Sequence, residues 1–122
     1  MDMVGTMLTI IKTAPYGRED AFAGLRFSLS QIAAGMLETC DTLLIEDGVY
    51  NAKIDQDTAA IRMPSNLDAT EDLLDLDGRV LVVREDMEAR SLTPDDLLEG
   101  VEIISIAEMP GMMETYDAFA TY

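Results

Sequence analysis

Apolar residues recur along the chain in two alternating patterns. Short continuous runs, Met7 to Thr13, Thr42 to Ile45, Arg79 to Val83 and Val101 to Ile106, are rich in β-branched residues and fit buried parallel strands. Between the first two, Phe22, Leu25, Leu29 and Ile32 fall at intervals of three and four. That spacing stacks them on one face of a helix from about Arg18 to Ala34, which Gly35 ends. Asp68 and Glu71 have capping-box spacing ahead of Leu73, Leu74 and Leu76, and Asp77-Gly78 closes that helix. Glu85 to Arg90 reads as a short helix. Thr93-Pro94-Asp95-Asp96 reads as a helix start, with a hydroxyl cap, proline at the first helical position and two acids facing the positive end of the dipole. Tyr50 to Met63 has no clear period and is expected to be a short helix followed by a loop. Met109, Met112 and Met113 suit a short helix, with Ala118 to Tyr122 as a fifth, edge strand.

Regular alternation of strand and helix implies parallel pairing through right-handed crossovers. The expected fold class is α/β, a single doubly wound parallel sheet of about five strands in the order 2-1-3-4-5 with helices on both faces. Residues 1–6 form an N-terminal extension, with Met7 as an alternative start, and residues 7–122 form the domain. Open α/β sheets bind ligands outside the carboxyl ends of their strands. The candidate site is therefore built from Pro15, Tyr16 and Gly17 after the first strand and Asp47, Gly48 and Tyr50 after the second.

Composition narrows the chemistry available there. Twenty-four acids stand against eight bases in 122 residues, a net charge of −16, and only Lys12 and Lys53 are lysines. Such a surface repels a phosphate backbone, so direct nucleic-acid binding is not expected. The acids read as a solvated surface, with adaptation to a salt-rich cytosol as the sharper alternative. No run approaches the roughly 20 apolar residues that cross a bilayer. One cysteine cannot build a disulfide framework, and no signal-peptide pattern is present, so a reducing cytoplasm is the expected compartment.

Histidine is absent, and Cys40 lies before the second strand beside Glu38 and Asp41, whose charges oppose thiolate formation. It reads as a small buried hydrophobe, with a reactive thiol as the alternative. Glu46 and Asp47 are adjacent and point to opposite sides, which favours a turn at Asp47-Gly48 over an acid-base pair. Asp55-Gln56-Asp57 starts like a calcium loop, but Ala59 and Ala60 stand where a ligand and the turn glycine belong. Zinc and iron lack ligands, and no glycine-rich phosphate motif follows a strand, so no cofactor is expected. The tail methionines suit core filling or a subunit contact.

Several short motifs together resemble one family. Thr13-Ala14-Pro15-Tyr16-Gly17, then Glu19-Asp20-Ala21 and a helix, then Glu46-Asp47-Gly48-Val49-Tyr50-Asn51-Ala52, resemble the DsrE/DsrF/DsrH family of sulfur-relay proteins, which includes the Tus subunits. Arg84-Glu85-Asp86-Met87-Glu88-Ala89-Arg90-Ser91-Leu92 is similar to the segment after the third strand in DsrH or TusB members, and Tyr116-Asp117 to the family's C-terminal end. The resemblance implies an α/β subunit of homo-oligomers or mixed assemblies of related subunits. It also implies a sulfur-donor or acceptor protein as partner, and an acceptor pathway such as tRNA thiolation or sulfur oxidation.

Sulfur-carrying members of that family hold a persulfide on a cysteine shortly after the third strand. Counting back from Arg90 and Ser91 places that position near Val83, and Cys40 does not match it. Two readings follow. The first is a non-carrier subunit or binding module whose edge of Tyr16, Asp47, Gly48, Tyr50, Arg84 and Glu85 shapes a site completed by a partner. The second is a sulfurtransferase using Cys40 or a partner's thiol. The lack of another candidate nucleophile favours the first, and so a chain that is not itself an enzyme.

Overall fold

The centre of the sheet is held by the strand whose sequence looks least like one. Thr39–Leu44, here β2, reads Thr-Cys-Asp-Thr-Leu-Leu, and every residue from Cys40 onward is buried. In the computed structural model, which describes residues 5–35 and 37–122, β2 lies between β1 (Thr6–Ile11) and β3 (Val80–Val83). Beyond β3 comes β4 (Glu102–Ile104), and β5 (Ala118–Thr121) pairs with the other side of β1. All four pairings are parallel.

The single five-stranded parallel sheet is the class expected. Its order is β4-β3-β2-β1-β5, whereas 2-1-3-4-5 placed β1 between β2 and β3. The reason is how polar side chains are satisfied. A central strand is buried on both faces, so its polar groups need partners inside the protein. Asp41 accepts the Arg79 backbone N–H at 2.9 Å and the Tyr116 hydroxyl at 2.5 Å. On the other face, Thr42 donates to Ser28 at 3.3 Å and Ser28 to Thr9 at 2.7 Å. These bonds let Thr39 to Asp41 join a strand that the apolar pattern starts only at Thr42.

Right-handed crossovers stepping from β1 to β2 to β3 keep α1 (Asp20–Ala34) and α2 (Asn66–Asp75) on one face. There Ala21, Leu25, Ala69 and Leu73 meet Ile11, Leu44, Val80 and Val82 in the larger core. After β4 the chain returns across the opposite face through α4 (Met109–Met113) to reach β5. The smaller core on that side holds Leu8, Leu43, Leu81, Val83, Ile104 and Tyr116, with Met109, Met112 and Met113 packed against it. A short helix, α3 (Arg84–Ala89), follows β3 directly.

Element ends differ where local hydrogen bonds compete with pattern. Gly35 ends α1 in the left-handed region, at φ 65°, as expected. Ser65 rather than Asp68 caps α2, its hydroxyl accepting the Asp68 N–H at 3.0 Å. Thr93 caps as expected and also forms a capping box with Asp96, yet only one 3₁₀ turn follows, because Leu97 bridges to Lys53 and the Leu98 N–H donates to Ala52. Most of the expected extension, residues 1–4, lies outside the described residues. Thr6 already belongs to β1, and Gly5 accepts the backbone N–H groups of Glu38 and Thr39.

Tyr116→Phe removes the hydroxyl from a buried carboxylate and should cost about 1–3 kcal/mol in denaturant unfolding. Burial, and then the bond to Asp41, push the Tyr116 hydroxyl above its ordinary value of 10.0. The folded state therefore keeps this proton after the unfolded chain has lost it. Its contribution is full below about pH 10 and falls as pH rises beyond that. Melting temperatures through the alkaline range should drop less steeply in the variant; an identical slope would contradict the assignment.

Candidate functional site

The loops that follow β1, β2, β3 and β4 all open at one edge, the carboxyl ends of the parallel strands. Ile45 donates its backbone N–H to the Ile11 carbonyl at 3.0 Å, and Glu46 then turns in the left-handed region, at φ 49°. A 3₁₀ helix over Glu46–Ala52 follows. Its third residue, Gly48, lies so close to β1 that a Cβ there would stand 2.0 Å from the Ile11 carbonyl oxygen. Only glycine fits that approach.

A lattice of amides joins this turn to its neighbours. The Asn51 amide donates to the carbonyls of Gly48 at 2.9 Å and Thr13 at 3.1 Å, while its oxygen accepts from the Asn66 side chain at 2.7 Å. Tyr16, also left-handed at φ 73°, donates its hydroxyl to Gln56 and accepts the Asn66 backbone N–H at 3.1 Å. Gln56 in turn donates to the carbonyls of Lys53 at 2.7 Å and Tyr50 at 3.1 Å. Thr70 completes the lattice by donating to the Asn66 carbonyl at 2.8 Å.

The acids after β3 act as stitches. Asp86 accepts the Glu46 N–H at 2.8 Å, and Glu85 accepts the Ile106 N–H at 3.0 Å, so α3 holds the loops after β2 and β4 on either side of it. Arg90 pairs with Asp47 at 2.9 Å and reaches back to the Asp86 carbonyl at 3.0 Å. Arg84 and Lys12 are exposed, and neither joins an ion pair among the described residues.

The expected site residues thus share one edge but divide into two groups. Asp47, Gly48 and Glu85 belong to the stitched loops. Tyr16 belongs to the amide lattice, with no hydrogen bond to Asp47 or Arg84 among the described residues. Pro15 and Gly17 shape the turn centred on it, the Gly17 N–H donating to the Pro15 carbonyl at 3.0 Å, and Tyr50 packs half-buried against the larger core. The bracing parts of Asn51, Gln56, Asn66, Asp86 and Arg90 escape a reading by pattern. The signal for Asn51 and Gln56 is uncharged amides in the stretch with no apolar period; Asn66 stands just beyond it, and Asp86 and Arg90 enter only as members of the motif after the third strand. A hollow of about 550 Å³ lies elsewhere, between α1 and α2, with Phe22, Arg26, Leu29 and Asp72 in its walls.

Cys40 sits at the other end of β2. It is 3% exposed and about 17 Å from Ile45 at a strand's rise per residue. Burial, assisted by Asp41, pushes its thiol up, against the opposing effect of the Thr9 and Ser28 hydroxyls. Val83 is the last residue of β3, and at 1% exposure its side chain belongs to the smaller core.

A model of the DsrE/DsrF-like family matches residues 6–122. An uncharacterised protein of Methanocaldococcus jannaschii is 31% identical over 113 residues, spanning 93% of this chain and 96% of its own. The intracellular sulfur oxidation protein DsrF of Allochromatium vinosum is 30% identical over 136 residues, spanning 99% of this chain and 98% of its own. Among solved structures, the ychN protein from E. coli superposes with a TM-score of 0.86 at 21% identity, covering 97% of this chain and 99% of that one. This last likeness concerns the fold alone.

The turn at Gly48 is the feature of the edge most sensitive to a single atom. Gly48→Ala must move the end of β1 or the 3₁₀ helix, and should destabilise by about 3 kcal/mol in urea unfolding. A variant within about 0.5 kcal/mol of wild type would show that the approach to Ile11 is not needed.

Proposed function

Because the chain belongs to the DsrE/DsrF-like family, we propose that it is a non-carrier subunit of an intracellular sulfur relay, shaping a site that a related subunit completes with its own thiol. One observation carries this reading. The lone cysteine is enclosed at the amino end of β2, while the loops that would receive a reacting sulfur gather at the carboxyl end.

Sulfur transfer between proteins needs an exposed thiolate. The acceptor's thiolate attacks the outer sulfur of a donor persulfide, a new sulfur–sulfur bond forms, and the donor cysteine leaves as its thiolate with no net oxidation. Cys40 is ill-suited to either part, since its burial favours the protonated thiol and blocks in-line approach. The sulfurtransferase alternative through Cys40 is therefore not favoured. At the position after β3, Val83 fills the core, and the next residues use Glu85 and Asp86 to secure neighbouring loops. In this reading the chain supplies the rim, with Arg84 and Lys12 offering positive charge to an arriving persulfide anion, and the partner supplies the sulfur's holder. The relay would deliver to tRNA thiolation or sulfur oxidation through proteins, consistent with a net charge of −16 that disfavours RNA contact.

Incubation with a cysteine desulfurase and sulfur-labelled cysteine tests this directly. The purified chain should leave the reaction unlabelled by non-reducing mass spectrometry. Stoichiometric labelling of Cys40 would overturn the non-carrier reading.

A further inference from the structure

We propose that the hollow between α1 and α2 binds a short apolar peptide with free ends, its ammonium group meeting Asp68 and Asp72 and its carboxylate meeting Arg26. The site is separate from the carboxyl edge of the sheet and does not depend on the sulfur-relay reading.

The hollow follows from side-chain size. Ser30 and Ala33 of α1 line it from one side, and Ser65 and Ala69, at the start of α2, from the other. In each pair the residues are three or four positions apart, so they share a helix face. Their short side chains leave a space of about 550 Å³ between the helices, within the range of small-molecule sites. Its floor is apolar, because Phe22 and Leu29 pack on the larger core and Ala69 is buried in it.

The two walls differ in charge. Arg26 stands on α1, its guanidinium carbon 5.8 Å from the centre of the Phe22 ring, while Asp68 and Asp72 stand one turn apart on α2. All three line the hollow, yet none of them joins an ion pair among the described residues. This arrangement selects a class of ligand. Two carboxylates repel a simple anion such as a fatty acid, and the guanidinium repels a simple cation such as an alkylamine. A molecule with both charges set apart on an apolar body satisfies both walls and the floor. Two or three residues of extended chain span about 7–10 Å, comparable with the roughly 8–10 Å between packed helix axes. A single amino acid carries both charges on one carbon, which suits one wall at a time.

Amide NMR shifts of the isotope-labelled full chain, titrated with leucyl-leucine, test the proposal. Binding should saturate with a Kd of about 1 mM or tighter and move resonances of α1 and α2. Free leucine should bind about tenfold more weakly or worse. Amidating the peptide's carboxylate or acetylating its amine should each weaken binding about three- to fivefold. Arg26→Gln should abolish the first of these differences and leave the second, and Asp68→Asn with Asp72→Asn should do the reverse. Ala33→Leu, at an exposed position, should fill the hollow and abolish binding, with Ser30→Leu in its place if circular-dichroism melts show that variant unfolded. The proposal is overturned if leucyl-leucine does not saturate at about ten times that concentration, or if free leucine binds as well. Capped peptides that bind as tightly as free ones overturn it too, as does binding that survives a folded Ala33 or Ser30 variant. None of these results alters the labelling outcome at Cys40.

Discussion

The Tyr116 hydroxyl donating to Asp41 is the contact on which the architecture turns. It joins the last connection of the chain to the central strand and satisfies a carboxylate that would otherwise be buried at a large cost. With Asp41 accepted inside, β2 can run from Thr39 and occupy the middle of the sheet. That placement encloses Cys40 between its neighbours and puts Gly48 against the end of β1. It also fixes where α4 crosses, since Tyr116 lies just beyond it. A bidentate pair between Arg79 and Glu102, at 2.7 and 2.9 Å, steadies the same end of the sheet.

At the opposite end the acids have a different task. Asp86 and Glu85 accept backbone N–H groups from loops on either side of α3, and Asp47 is paired with Arg90. A charge count alone treats such residues as solubility. Here some of the chain's 24 acids hold together the edge where an α/β sheet places its ligand. The edge is therefore organised by the chain's own side chains, and among the described residues it holds no cysteine.

Much of this was legible in the residues. Continuous β-branched runs marked the strands, the Phe22, Leu25, Leu29 and Ile32 spacing marked α1, and Gly35 marked its end. The motifs at Pro15-Tyr16-Gly17 and Asp47-Gly48 pointed to the carboxyl ends of the strands, which is where those loops lie. What stayed hidden depends on partners distant in sequence. Thr39-Cys40-Asp41 has no apolar pattern, and its place in a central strand becomes possible only through Ser28, Arg79 and Tyr116. The strand order followed from that same unseen satisfaction. Asn51, Gln56 and Asn66 escaped because amides that brace loops leave no periodicity to read.

In the proposed relay this chain keeps its own thiol out of the chemistry. The decisive test is the rate at which iodoacetamide alkylates Cys40, native against urea-unfolded at neutral pH. Protection of several orders of magnitude in the native state, lost on unfolding, is the predicted result. Native alkylation as fast as in the unfolded chain would place a free thiol at the surface and contradict it.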